Sequence, residues 1–166
     1  MADASHAVAP QVVIVDDDSD HALIVRLVLL ELSPLADITV LSDLQHLGAR
    51  LERVPEGALV LLDRRIDGTD GCALIAPLRA ARPDLRVVLL SAHLGEDERA
   101  RALAAGADAA HEKPSSMADW RALLAGFVER PAERVERPQQ LPTERPAAAA
   151  PSLGAALRAL KHPTVA

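Results

Sequence analysis

Three consecutive aspartates, Asp16, Asp17 and Asp18, follow directly on the apolar run QVVIV at 11–15. Farther along, Asp63 ends the run ALVLL at 58–62, Ser91 ends RVVLL at 86–90, and Lys113 lies just beyond a weaker run at 107–110. Apolar runs of this length without alternation read as strands buried on both faces. In an open parallel sheet, ligands bind outside the carboxyl ends of the strands. Four separate segments then deliver Asp16, Asp17, Asp63, Ser91 and Lys113 to one crevice. Clustered carboxylates repel one another and stay ionised together only with a cation between them. Hard oxygen donors at this density suit Mg²⁺, which takes a few carboxylates along with waters and phosphate oxygens. A hydroxyl and an ammonium opposite the metal suit the equatorial oxygens of a phosphoryl group, the electrostatic demand of phosphoryl transfer. The constellation is of the kind that forms an acyl phosphate.

The elements that must position these groups alternate short apolar runs with longer amphipathic ones. That pattern predicts an α/β fold, a doubly wound, five-stranded parallel sheet with helices on both faces. Strands are expected at 11–15, 36–41, 58–62, 86–90 and 107–110. The first helix is expected over 18–32, with Leu23, Ile24, Leu27 and Leu30 as its apolar stripe and Ser33-Pro34 as its stop. Ser42 with Gln45 reads as a capping box for the second. A third opens near Gly71, carries Pro77 inside it and stops at Pro83, and a fourth (GEDERARALAAG) closes on Gly106. The last spans 116–129, with Met117, Trp120, Leu124 and Phe127 most simply its core face.

At the crevice residues the sequence resembles a known family, the receiver domains of bacterial two-component response regulators. The resemblance covers 11–129. It rests on VIVDDD (13–18), on LVLLDRRIDGTDG (59–71) against the pattern D-x-x-M-P-x-x-D-G, on LLSA (89–92), and on GADAAHEKP (106–114) against G-A-x-x-[FY]-x-x-K-P. It implies a (βα)5 domain with the flavodoxin-like strand order 2-1-3-4-5. It also implies Asp63 as phosphoacceptor, Asp17 as a direct Mg²⁺ ligand with Asp16 assisting, and the Arg65 backbone carbonyl as a further ligand. Ser91 and Lys113 would hold the phosphoryl group, with the Lys113-Pro114 peptide cis. The partner implied is a sensor histidine kinase, and the chemistry is limited to the domain's own phosphorylation and autodephosphorylation. Two departures stand out: Asp67 where the pattern has proline, and Ala110 where receivers commonly carry Phe or Tyr. An alanine cannot swing inward, so switching would run through backbone shifts around the fourth and fifth strands.

Composition sets the frame. The chain has 166 residues, 49% hydrophobic and 25% charged, a globular balance, and its single cysteine, Cys72, forms no internal disulfide and reads as a packing residue. No apolar run approaches the roughly 20 residues that cross a bilayer, and MADASHAVAP lacks the features of a signal peptide, so a cytoplasmic protein without membrane contact is expected. Residues 1–129 carry 12 Lys/Arg against 21 Asp/Glu, and 130–166 carry 6 against 3. An acidic body repels phosphate backbones, and Trp120 and Phe127 are the only aromatics, so nucleic-acid binding is disfavoured. The six histidines show no metal spacing, and His93 and His111 lie near the crevice. Residues 1–10 read as an extension and 130–150 as a Pro/Ala-rich linker. Over 151–166, Leu153, Leu157 and Leu160 form a short amphipathic stripe suited to docking, within a homodimer by preference. The expected protein is a stand-alone regulator whose output is contact with an unidentified protein or dimerisation. Two other readings compete. Asp16 and Asp18 with Ser91 and Lys113 also resemble the haloacid-dehalogenase phosphatases, with Asp16 as nucleophile and Asp18 as acid/base. A scaffold indifferent to phosphorylation is the third.

Overall fold

In the computed structural model, residues 9–128 are described, together with Gly154 and Ala155, which are helical. Expectations for 1–8, for the linker at 130–150 and for most of 151–166 lie outside the described residues, as does Glu129 at the expected end of the last helix.

Within residues 9–128, seven strands and five helices follow one another as β1 (Gln11–Val15), α1 (Ser19–Leu32), β2 (Asp37–Leu41), α2 (Leu47–Leu51), β3 (Leu59–Asp63), β4 (Arg65–Ile66), β5 (Thr69–Asp70), α3 (Gly71–Ala81), β6 (Arg86–Ser91), α4 (Glu96–Ala104), β7 (Ala109–Glu112) and α5 (Met117–Val128). Five strands make one parallel sheet in the order β2-β1-β3-β6-β7. Leaving aside the two-stranded hairpin of β4 and β5, this is the expected order 2-1-3-4-5, with the reversal of direction at β1/β3 that opens a crevice at the strands' carboxyl ends.

The pleat divides the core in two. Val13, Val15, Val60, Leu62, Val87 and Leu89 face one side and pack on Leu47 and Leu51 of α2, Leu74, Ile75 and Leu78 of α3, and Ala102 of α4. Their neighbours Val12, Ile14, Leu59, Leu61, Val88 and Leu90 face the other side, against Ala22, Val25, Val28 and Leu29 of α1 and Trp120 and Leu124 of α5. Strands buried on both faces have no polar face to alternate, which is why they read as continuous apolar runs.

Several local expectations are corrected. Helix α1 buries Ala22, Val25, Val28 and Leu29 and leaves Leu23 and Leu27 each 53% exposed. The helix is apolar nearly all round, so periodicity does not choose its face. Asp18 fixes the start, its carboxylate accepting from the N–H groups of Asp20 and His21, and packing on the sheet and α5 selects the face. The Ser42 capping box does not form. Asp43 takes the Gln45 N–H at 2.8 Å, an Asx turn that delays α2 to Leu47. Strand β7 begins two residues late, at Ala109, because Asp108 first hydrogen-bonds β6 through its own N–H and through a carboxylate on the Val87 N–H. Met117 is 41% exposed at the first turn of α5, while Trp120 and Leu124 are core. Gly106 follows α4 at φ +108°, as a helix-terminating glycine should.

The hairpin was not expected. Its two central residues, Asp67 at φ +51° and Gly68 at φ +74°, carry the positive φ pair of a type I′ turn, the commonest two-residue link between antiparallel strands.

Candidate functional site

Asp16 ends β1 on a backbone that is still tied to the sheet, its N–H donating to the Leu41 carbonyl at 3.0 Å. Its side chain is buried, with Oδ1 accepting from the Asp18 N–H at 2.9 Å and Oδ2 from Lys113 Nζ at 2.8 Å. Lys113 reaches back from the end of β7, anchored by its N–H on the Ser91 carbonyl at 2.7 Å, and Nζ also meets Asp63 Oδ1 at 2.9 Å. Asp63 Oδ2 in turn accepts from the Arg65 N–H at 3.2 Å. One ammonium thus bridges two carboxylates from two strands. With Asp17 added, three carboxylates offer oxygens that all lie within 4.8 Å of one another.

Burial pushes the Asp16 carboxyl above its ordinary value, and the Lys113 hydrogen bond opposes this without overcoming it. For Lys113 burial works against the charged form, but its hydrogen bonds to Asp16 and Asp63 outweigh burial and raise its affinity for the proton. The lysine therefore stays an ammonium across the physiological range. Lys113 pairs with two of these three acids, an arrangement short of positive charge and built from hard oxygen donors, so the residues present fit a divalent cation such as Mg²⁺.

The five predicted side chains do not all converge equally. Asp16, Asp17, Asp63 and Lys113 come together. Ser91 is buried beside them through its backbone, but its hydroxyl donates to the His93 carbonyl at 2.6 Å. The Lys113-Pro114 peptide is trans, contrary to expectation. Strand pairing of Ser91 with Glu112 and the Lys113 N–H bond already aim the lysine, so no cis bond is needed. Asp18 caps α1, and those backbone hydrogen bonds hold its carboxyl below the ordinary range. His93 contributes its carbonyl to Ser91. His111 turns to α5, edge-on to Phe127 at 5.6 Å, and burial lowers its basicity. Ala110 is buried, and Arg99 of α4 donates to its carbonyl at 2.7 Å.

Two contributors escaped sequence reasoning. His21 Nδ1 lies 3.2 Å from Lys113 Nζ and 3.1 Å from Asp18 Oδ2; its place three residues after a capping aspartate was the available signal. The Asp67 N–H donates to Asp17 Oδ2 at 2.9 Å, and the dipeptide Asp67-Gly68 was the signal for that turn.

The geometry of the first helix turn after the hairpin is also tight. The Gly71 N–H donates to the Arg64 carbonyl at 2.7 Å, and a Cβ at Gly71 would collide with the Asp63 carbonyl oxygen. Glycine is what lets α3 start against the end of β3.

Comparison with known proteins falls on the same residues. A family model described as response regulator receiver domain matches residues 12–125. The transcriptional regulatory protein PrrA of Mycobacterium bovis is 32% identical over 122 residues, 74% of this chain and 51% of that protein, and PrrA of Mycobacterium tuberculosis matches to the same extent. The chain spans about half the length of the curated relatives it matches. Among solved structures, the signal receiver domain of a DNA binding response regulator from Colwellia psychrerythraea is similar at a TM-score of 0.64 and 25% identity, over 73% of this chain and 99% of that one. A Thermotoga maritima response regulator shares the fold at a TM-score of 0.63 and 24% identity, over 74% of this chain and all of that one (100%).

Proposed function

Since the chain belongs to the response regulator receiver family, a family of signalling domains, we propose that Asp63 is its phosphoacceptor, supplied by the phosphohistidine of a sensor histidine kinase. The observation that carries the proposal is the Lys113 bridge. An ammonium held 2.8 Å from Asp16 and 2.9 Å from Asp63 offsets part of the cluster's negative charge, and Asp63 is the less buried of the two carboxylates.

Asp17, Asp63 and the Arg65 carbonyl would ligate Mg²⁺, with Asp16 assisting. The bound cation would supply the charge neutralisation that lets a carboxylate approach a phosphoryl group. In the transfer, an Asp63 oxygen forms a bond to phosphorus as the phosphorus–nitrogen bond to the donor imidazole breaks, leaving an acyl phosphate on the receiver. Lys113 then exchanges its contact with Asp63 for a phosphoryl oxygen. Ser91 leaves the His93 carbonyl and donates its hydroxyl to another. Movement at Ser91 and Lys113 reaches the ends of β6 and β7 directly, since the Lys113 N–H is bonded to the Ser91 carbonyl. The output is a changed contact surface for a partner protein or a second copy, and residues 151–166, tethered by 130–150, are assigned to such contact.

Asp18 speaks against the phosphatase reading. Its carboxylate is committed to two backbone N–H groups of α1 and held acidic by them, the opposite of a general acid. The test is beryllium fluoride binding followed by ¹⁹F NMR. Mg²⁺-dependent binding lost in Asp63→Asn supports the proposal; binding unaffected by Asp63→Asn refutes it.

A further inference from the structure

The turn that follows β3 lies against the carboxylate cluster. In a two-residue hairpin the ladder uses the flanking strands, and the N–H of the first central residue points outward, free to serve something else. Here that N–H belongs to Asp67, and it donates to Asp17 Oδ2 at 2.9 Å across 50 residues of sequence. Asp17 is exposed, with no second packing constraint comparable to the burial of Asp16. Its carboxylate has two oxygens. One backbone donor holds this carboxylate beside the cluster, in which an oxygen each of Asp16, Asp17 and Asp63 lie within 4.8 Å of one another.

We propose that Asp67 is a positioning residue whose backbone N–H, presented by the positive φ of an Asp-Gly turn, orients Asp17 for cation binding. The inference deepens the proposed reading of this site and rests on it. Outer hydrogen bonds to metal-ligating groups fix their orientation and strengthen binding, and a bond to an ionised carboxylate is of the stronger, charge-assisted kind. Residue identity enters through the backbone. A proline, which the receiver pattern places here, has neither the N–H nor access to φ +51°. Asparagine and glycine have both. The coupling is reciprocal: whatever factor the closed turn adds to cation affinity, the cation adds to closure of the turn.

The experiment is Mg²⁺ titration of the full chain by calorimetry, beside amide hydrogen exchange at Asp67 with and without Mg²⁺. Asp67→Pro is expected to weaken Mg²⁺ binding about tenfold, the lower end of the cost of losing such an outer bond. Asp67→Asn and Asp67→Gly, which restore the N–H and the conformation, are expected to keep affinity within about twofold. Mg²⁺ is expected to slow exchange of the wild-type Asp67 amide by a factor matching the Asp67→Pro loss. Equal loss in Asp67→Asn and Asp67→Gly would overturn the proposal in favour of side-chain charge, and unchanged affinity in a folded Asp67→Pro would overturn it outright. If Asp67→Pro does not fold, the wild-type amide decides, and no slowing by Mg²⁺ overturns the inference. Asp17→Ala separates the two levels: Mg²⁺ binding that survives it refutes the metal site itself, whereas binding lost there with an indifferent Asp67→Pro refutes the positioning role alone.

Discussion

Gly71 sits where α3 starts beneath the end of β3, and replacing it with alanine tests how tightly that junction holds Asp63. A methyl there would run into the Asp63 carbonyl oxygen and stand 3.1 Å from the carbonyl carbon and 3.3 Å from Arg64 Cα. Pairs of carbon atoms prefer roughly 3.5–4.0 Å. Restoring a C···O contact of about 3.3 Å needs a displacement on the order of 1 Å. Neither obstacle is the end of a flexible side chain, so backbone must move. Forcing a methyl into such a junction costs about 2 kcal/mol, which for a domain of this size lowers the melting temperature by roughly 8 °C. A 1 Å shift of Asp63 relative to Lys113 also misplaces the attacking oxygen, and phosphorylation by acetyl phosphate should slow by about 100-fold. Gly126, on an open face of α5 where an added methyl would meet nothing within 4 Å, is the control. Gly126→Ala should stabilise by about 0.5–1 kcal/mol through helix propensity and leave the labelling rate alone. Thermal melts and a mass-spectrometric labelling time course measure both variants. Gly71→Ala with the melting temperature and labelling rate of wild type would refute the argument that this glycine sets the position of Asp63.

Other consequences follow from the charges. Burial raises the Asp16 carboxyl, so the folded protein binds that proton more tightly than the unfolded chain. The associated stability is full below the ordinary value of 3.8 and is lost as pH rises through the raised one. Asp16→Asn should therefore melt above wild type at pH 7 without Mg²⁺, with the margin closing toward pH 4; a variant melting lower at pH 7 contradicts this. Lys113→Ala strips two carboxylates of their shared cation and should cost about 3 kcal/mol in urea unfolding without Mg²⁺. Added Mg²⁺ should recover part of the loss, and a deficit indifferent to Mg²⁺ would mean that the ammonium and the metal do not compensate the same charges. Truncation after Glu129 should lower the dimer fraction seen by light scattering in beryllium fluoride if 151–166 makes the proposed contact, and an unchanged fraction excludes that role.

Much of the site was legible because its residues sit at the ends of buried strands. Asp16, Asp63 and Lys113 each follow an apolar run whose register the sheet fixes, and the parallel order brings those ends together. What escaped lies where local pattern carries no information. Strands β4 and β5 are two residues each, too short for any periodicity. The inward face of α1 is undetermined in a helix where Leu23, Val25, Leu27 and Val28 are all apolar, and its packing on the sheet and on α5 decides which are buried. The trans Lys113-Pro114 bond and the turn of the Ser91 hydroxyl toward the His93 carbonyl are backbone details that no motif encodes.

On the proposed chemistry, Asp63 carries the phosphoryl group within this cluster. Peptide mass spectrometry of the protein after incubation with acetyl phosphate and Mg²⁺ tests it most directly. One added phosphoryl group is expected, located on Asp63, absent without Mg²⁺ and absent in Asp63→Asn. A label found on Asp16, or one that persists in Asp63→Asn, would contradict it.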